Sequence, residues 1–439
     1  MEKKLTEVQK SMYESSEKIE EVKKIVKRRA KKVGEEELIP ENLADDNWKE
    51  KKFSHPENIV RIGTVFSGIG AIEYALKRLN LKHEIVFAGD VDAKCKESYF
   101  ANYDIKEENW FTDVREFDAS KYKGKVDFVV GGAPCQAFSM VGKRLGFEDA
   151  RGTLFYEFAR VIKETEPKLF LFENVKGLIN HDNGRTWHVI HDIFEELGYD
   201  VNFRVLNSKD YGIPQNRERL YCLGFKKKTE FQFPRPIPLE YQMYDFLEDY
   251  IDSKYFLKEK GIKFVTSHKN HEKSYTQVNG DVALCQKRNQ QFNWHGDFVY
   301  HPVNEADEPN EAFDEFIFDV KDVEEKYYLS DKVAKYVLSS GTKGFKTSIE
   351  TDLPVARPLL QSMHKMHRAG VDNYVTHKGR IRKLTPRECL RLMGFKDDFK
   401  IVVSDTSMYK EAGNSIVVDV LIAILMQLDI TQYGEPYAG

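Results

Sequence analysis

From Ile59 to Phe225 short apolar runs alternate with amphipathic stretches of about a dozen residues. Short runs that can be buried on both faces suit strands, and 3.6-residue stripes suit helices laid over them. The alternation therefore predicts an α/β unit with a parallel sheet. The expected strands are Val60 to Phe66, Ile85 to Ala88, Asp127 to Gly131, Lys168 to Phe172, Val201 to Leu206 and Leu220 to Phe225, with helices such as Thr153 to Glu164 and Trp187 to Leu197 between them. After Lys226 the pattern gives way to irregular, aromatic and charge-rich sequence, with an occasional helical stretch such as Asp331 to Leu338 behind a capping Ser330. Helical periodicity returns at Thr385 to Met393 and at Ser415 to Leu428. The second of these is apolar on nearly every face, which marks it as buried and carries the chain back into the first unit.

A chain of 439 residues exceeds what one core holds, so two or three folding units are expected. The divisions fall at 1–58, a charged helical N-terminal appendage; 59–226, the α/β unit; 227–379, a smaller irregular domain; and 380–439, the return. The first 58 residues hold 14 basic and 14 acidic side chains. Leu5, Val8, Met12, Ile19, Val22, Val26 and Val33 share one heptad frame, broken by Ser15 and Arg29. Either a solvated helix rests this stripe on its own chain, or two copies pair through it. There are no internal repeats.

Charge and cysteine content narrow the partners. The net charge of -4 hides segregation: Gln361 to Arg391 carries eight Lys or Arg against two acids, whereas Asn304 to Glu325 carries ten acids and one Lys. The first patch suits phosphates. No run approaches the roughly 18 apolar residues of a membrane span, and the charged start is unlike a signal peptide, so a cytoplasmic protein is expected, with no membrane partner. Five widely spaced cysteines without a CxxC pair predict neither a disulfide framework nor a metal site, and leave room for one reactive thiol.

Three segments carry chemistry. Phe66-Ser67-Gly68-Ile69-Gly70 joins a strand to a helix with glycines that allow a close ligand, although it lacks full dinucleotide-fold spacing. Asp90, 20 positions beyond Gly70, ends the next strand where an acid reaches ribose hydroxyls, and Asp113 in Thr112-Asp113-Val114 could accept from an adenine amino group. An adenosine-containing ligand without an obligatory diphosphate is expected. Gly131-Gly132-Ala133-Pro134-Cys135-Gln136 places a thiol in a shaped loop at the carboxyl end of a strand, and Glu173-Asn174-Val175 delivers a carboxyl group from its neighbour.

Pro134-Cys135-Gln136, Glu173-Asn174-Val175 and Gln215-Asn216-Arg217-Glu218-Arg219, in this order, resemble the motifs of the C5-cytosine DNA methyltransferase family. Phe66 to Gly70 resembles that family's cofactor loop, Arg382 to Glu388 its late structural motif, and Gly413-Asn414-Ser415 its closing motif. The resemblance covers 59–226 and 380–430. It implies a Rossmann-like catalytic domain that uses S-adenosylmethionine, yielding S-adenosylhomocysteine, with a target-recognition domain at 227–379. Cys135 would attack cytosine C6, Glu173 would hold the N3 and amino edge, Arg217 would meet the base carbonyl, and Arg219 would orient its neighbours. Cofactor contacts are expected from Phe66, Ser67, Gly68, Gly70, Asp90, Val91, Asp113, Val114, Gly132, Pro134, Leu154, Asn414 and Ser415.

The target base must leave the stack, so the glycines and cations of Ser139 to Arg151 suit a loop that closes on DNA. Gln136, Ser139, Lys143, Arg144, Arg288, Lys378 and Arg380 are the expected DNA contacts. Gln286 to His295 is rich in base-reading side chains, yet a solvated polar loop explains it equally well. Val141 departs from the small polar residue that the family often places there. The expected partner is duplex DNA, with a companion restriction endonuclease acting separately, a nucleoid-associated location and a monomeric chain unless the N-terminal helix self-associates. Transfer RNA is the rival substrate, disfavoured because no Cys-Phe-Thr tripeptide occurs. A silent DNA-binding scaffold is disfavoured because the reactive residues are all present.

Overall fold

The computed structural model describes residues 41–133, 154–248, 276–278, 296–298, 327–329, 351–361, 372–377 and 380–436. Of 244, 276–278, 296–298, 376–377 and 380–383 it describes the backbone alone. The expected helix at Asp331 to Leu338, the heptad stripe, and Gln286 to His295 lie outside the described residues.

Seven strands form one sheet: β1 (Val60–Val65), β2 (His83–Gly89), β3 (Trp110–Phe111), β4 (Phe128–Gly131), β5 (Leu169–Val175), β6 (Asp200–Asn207) and β7 (Glu218–Phe225), in the order β3-β2-β1-β4-β5-β7-β6. Pairings from β3 across to β5 are parallel, but β7 runs antiparallel to both β5 and β6. The expected all-parallel sheet is corrected here. Insertion of β7 between β5 and β6 needs only a tight return from β6, through the 3-10 turn Ser208–Tyr211, instead of a helical crossover. Two short pairs stand apart: parallel β8 (Thr276–Val278) with β9 (Gly296–Phe298), and antiparallel β10 (Tyr374–His377) with β11 (Arg380–Lys383).

Side chains alternate across each strand, so the sheet buries two apolar layers. Phe128, Val130, Leu169 and Leu171 face one cluster, to which helices α1 (Ala71–Arg78), α5 (Pro386–Arg391), α6 (Asp405–Asn414) and α7 (Val418–Leu428) contribute. Tyr99 of α2 (Ala93–Asn102) joins them. Val129, Phe170 and Phe172 face the other, against α3 (Leu154–Thr165) and α4 (Arg185–Glu196). The result is a three-layer α/β/α sandwich whose first layer is completed by the C-terminal return.

That return is fastened by charge as well as by packing. Arg78 of α1 pairs with Asp419 of α7 at 2.7 Å, both side chains about a tenth exposed. Below the opposite strand ends, fully buried Asp127 binds Arg61 at 2.7 Å and Lys168 at 3.0 Å, and Lys168 also holds Glu435 at 2.6 Å. The 405–428 stretch has the length and composition of a membrane span, but here it is two helices separated by Ser415 to Val417, with α7 buried against α1.

Residues 41–58 are tied to the first unit at several points: Leu43 bridges Phe233, Trp48 is buried in the first cluster, and Asn58 donates to the Thr431 carbonyl at 3.0 Å. Likewise Phe231, Phe233, Met243, Phe246, Leu353 and Leu359, all placed beyond Lys226, are buried in that same cluster. Among the described residues, the smaller domain therefore begins as core.

Candidate active site

The site is assembled at the carboxyl ends of β1, β2, β4 and β5. Phe66, Gly68 and Gly70 all take left-handed backbone, with φ of 57°, 54° and 76°. Phe66 does so without glycine's freedom, so the turn is strained and must be held. Ser67 holds it by accepting from Gly89 N at 2.8 Å through Oγ and donating its own N–H to Gly89 O at 3.0 Å. The Gly68 N–H donates to Asp90 Oδ2 at 3.0 Å, which binds the β1 loop to the end of β2. A side chain at Gly70 would be strained by its φ of 76° and would displace the Tyr103 ring, which a β-carbon there would approach to 2.3 Å.

One cavity runs along this edge. It is lined by the Thr64 to Ile69 turn, Glu73, Gly131, Gly132, Glu173, and Asn414 and Ser415 at the junction of α6 and α7. Thus Phe66, Ser67, Gly68, Gly132, Asn414 and Ser415, expected from sequence, meet in one place. Asp90 borders it through Gly68, and burial raises its carboxyl above the usual range. Val91 beside it is 73% exposed, an unusual position for an apolar side chain flanked by ordered structure. Asp113 is engaged by Arg115, whose Nε donates to its Oδ1 at 2.9 Å, and this holds its carboxyl below the usual range. A carboxylate so paired keeps lone pairs for a further donor. The Val114 side chain enters the core, so only its backbone could meet a ligand. Leu154 opens α3.

Glu173 stands near the end of β5, its carboxyl raised by burial, with Arg219 and then Arg217 opposing that rise. In the antiparallel register Glu173 faces Tyr221, so the period-two alternation puts Arg219 and Arg217 on its side of the sheet. Arg219 Nε lies 3.4 Å from Glu173 Oε1. Arg217 turns elsewhere: its Nη2 donates to the carbonyls of Gly413 and Ser415 at 3.0 and 2.9 Å. Arg219 accompanies Glu173, while Arg217 spans two stretches, its Nη2 on the closing-motif carbonyls and its Nη1 donating to the Leu359 carbonyl at 3.4 Å. Burial pushes the Arg217 guanidinium down to about 9.

The neighbouring Asn174, unassigned in the sequence reading, donates to the Ala133 carbonyl at 2.8 Å, pinning the approach to the Pro134-Cys135 segment. Gly132 permits the close fit, since a β-carbon there would sit 3.0 Å from Glu173 Oε2. Gln215 also anchors rather than reacts: its amide bridges Leu392 O and Leu359 N, at 2.8 and 3.0 Å. Pro134, Cys135, Gln136, Ser139, Lys143, Arg144, Arg288 and Lys378 lie outside the described residues, and Arg380 is described by its backbone in β11. Glu73 is the residue the sequence hides most fully, because an acid in a helix's first turn is ordinary.

Strand order, glycine turn and edge cavity together define a Rossmann-like methyltransferase fold. Residues 60–429 match the family model of C-5 cytosine-specific DNA methylases, and the chain belongs to that family of DNA cytosine-C5 methyltransferases. It is 33% identical to the orphan methyltransferase M.SPRI of Bacillus phage SPR, over 84% of this chain and 97% of that protein. It is 31% identical to the type II methyltransferase M.HpaII of Haemophilus parainfluenzae, over 88% and 96% respectively. Among solved structures, the Dnmt2 methyltransferase of S. pombe shares the fold, with a TM-score of 0.55 at 17% identity over 84% of this chain and 98% of that one.

Proposed function

We propose that the chain methylates C5 of a cytosine swung out of a specific duplex DNA sequence, using S-adenosylmethionine and Cys135 as nucleophile. The observation that carries this is the buried Glu173 carboxyl with Arg219 beside it, in the same cavity as the glycine turn. The residues fit the cofactor: Asp90 offers a carboxylate at the end of β2, Val91 an exposed apolar side chain beside it, and Asn414 an exposed amide across the cavity. Gly132 and Ser415 complete the walls. When bound, S-adenosylmethionine supplies an electrophilic methyl group.

C5 of cytosine becomes nucleophilic only after a nucleophile adds at C6, and the Cys135 thiolate is suited to that addition. The negative charge then moves into the ring toward N3. Glu173, whose carboxyl burial raises toward its protonated form, donates to N3 when it carries the proton and accepts from the exocyclic amine, where it stabilises that charge. Arg219 steadies the Glu173 carboxyl, and Arg217 holds the closing motif against it. After C5 is methylated, loss of its proton and departure of Cys135 restore the aromatic ring.

The part of 227–379 that lies outside the core-packed stretches is assigned to target recognition, and Lys378 and Arg380 to phosphates. Duplex DNA is preferred to transfer RNA because the chain lacks the Cys-Phe-Thr tripeptide. The type II names among its relatives support a separate restriction endonuclease as companion. The test is transfer of labelled methyl to mixed-sequence duplex DNA and to transfer RNA, with Cys135→Ser as control and sequencing of the modified cytosines. Transfer to DNA that the substitution abolishes is the expected result. Transfer confined to RNA would overturn the substrate assignment, and transfer surviving in Cys135→Ser would overturn the nucleophile.

A further inference from the structure

Glu73 is fully buried in the first turn of α1, yet it lines the cavity. Its Oε1 accepts from Tyr99 OH at 2.5 Å and from Thr64 Oγ1 at 3.1 Å. Its Oε2 has no hydrogen-bond partner among the described residues. A buried carboxyl oxygen without a partner costs on the order of 1–3 kcal/mol or more. Neither protonation state is satisfied: the ionised group lacks a donor at Oε2, and a proton placed there lacks an acceptor. A ligand that brings donors, and above all a positive charge, would relieve both.

Position along the sheet edge says which part of a ligand this is. Read across the strand order β3-β2-β1-β4-β5, the edge carries Asp113, Asp90, the Phe66 to Gly70 turn, Gly131 to Gly132 and then Glu173. On the reading proposed above, the nucleoside lies toward Asp113 and Asp90 and the reacting methyl toward Glu173. The amino-acid arm, branching at the sulfur, then lies between them over β1 and β4, where Thr64, Glu73, Val130 and Gly131 line the wall.

We propose that Glu73 receives the α-ammonium group of the cofactor's methionine moiety at its unpartnered Oε2. Glu73 is a binding residue for the amino-acid arm and takes no part in methyl transfer. The inference rests on the cofactor assignment of the preceding section and adds the residue that reads the ammonium. Burial lifts this carboxyl to about 7, with Tyr99 and Thr64 bonds opposing the rise. The titratable groups coupled to it are the Tyr99 and Tyr103 phenols, which burial keeps neutral. An ammonium docking there favours the ionised form. Binding must therefore release a proton near and below pH 7, and affinity must fall as the pH drops through that range.

Calorimetric titration of the full chain separates the possibilities, with two ligands: S-adenosylhomocysteine, which carries the ammonium, and 5′-methylthioadenosine, which shares the nucleoside and thioether but lacks the amino-acid arm. Glu73→Gln preserves shape and can still bond Tyr99. It should weaken S-adenosylhomocysteine by about 10- to 100-fold, the worth of a charge-assisted bond, and leave methylthioadenosine within about threefold. Independently of any variant, the wild-type preference for S-adenosylhomocysteine should decline from pH 8 to pH 6, with protons released in buffers of differing ionisation enthalpy. Equal weakening of both ligands, weakening of neither, or a preference independent of pH would overturn the role of Glu73. Failure of the wild-type chain to bind either ligand would overturn the cofactor assignment itself.

Discussion

The clamp between α1 and α7 offers a quantitative test of whether the C-terminal return is part of the catalytic core. Arg78 Nη1 donates to Asp419 Oδ2 at 2.7 Å, Nη2 donates to Oδ1 at 3.0 Å, and Nη1 also donates to Gly394 O at 2.9 Å. Removing one partner of a buried pair costs about 3–5 kcal/mol, because the other charge stays in a poor solvent. Both side chains here retain about a tenth of their exposure, and Arg78 keeps the Gly394 carbonyl, so Asp419→Ala belongs at the low end, about 3 kcal/mol. With a urea slope of about 3 kcal/mol per molar, the unfolding midpoint should fall by about 1 M. Fluorescence of Trp48, buried in the same cluster, is a suitable probe. The double replacement Arg78→Leu with Asp419→Leu should return to within about 1 kcal/mol of the parent, since it buries no unpaired charge. A single variant within about 1 kcal/mol of the parent, or a double variant as unstable as the single, would refute the reasoning.

Three further outcomes are expected. Glu173→Gln should lower kcat by about 10²- to 10³-fold with S-adenosylhomocysteine affinity nearly unchanged, because the lost interaction strengthens only as charge develops on the base; a fall in affinity instead of kcat in single-turnover kinetics would contradict this. Glu411, whose Oε2 accepts from Ser98 at 2.7 Å while Oε1 is buried without a partner, is lifted by burial to about 8. A raised folded pKa costs stability as pH climbs from the unfolded value toward 8, so Glu411→Gln should stabilise by about 3–5 kcal/mol above pH 8 and by almost nothing near pH 4, read from denaturation at both pH values. Thr385→Ala should cost about 1–2 kcal/mol, because Thr385 and Glu388 form a reciprocal capping box at α5 and the Thr385 hydroxyl also donates to Glu248. An unchanged thermal midpoint would show that the cap is redundant.

Local features carried most of the sheet and the order of the site. Each apolar run between Val60 and Phe225 became a strand within a few residues of its expected limits, because burial on both faces leaves a signature within the run itself. The glycine turn, Gly131-Gly132 and Glu173 fall at strand ends as their spacing required. The two-residue β3 was too short to leave such a signature, and only Asp113 beyond it marked its end.

What the sequence could not decide depends on which surfaces meet. Hydrophobic runs carry no direction, so the antiparallel course of β7 emerged only from its place between β5 and β6. Period two put Arg217 and Arg219 on one face with Glu173; only the arrival of Gly413 and Ser415, some 200 residues later in the chain, drew Arg217 away and left Arg219 at the carboxyl. Charge balance in the first 58 residues suggested an appendage, yet Trp48 and Asn58 are buried against partners near the other end of the chain. Glu73 is the sharpest case. As a residue it is an ordinary acid at a helix start, and it becomes a candidate ligand-binding group only because folding buries it on a cavity wall with one oxygen unpartnered. Sequence determines which groups exist and which face of an element they occupy; long-range packing determines which of them lose water, and that loss turns a common side chain into a functional one.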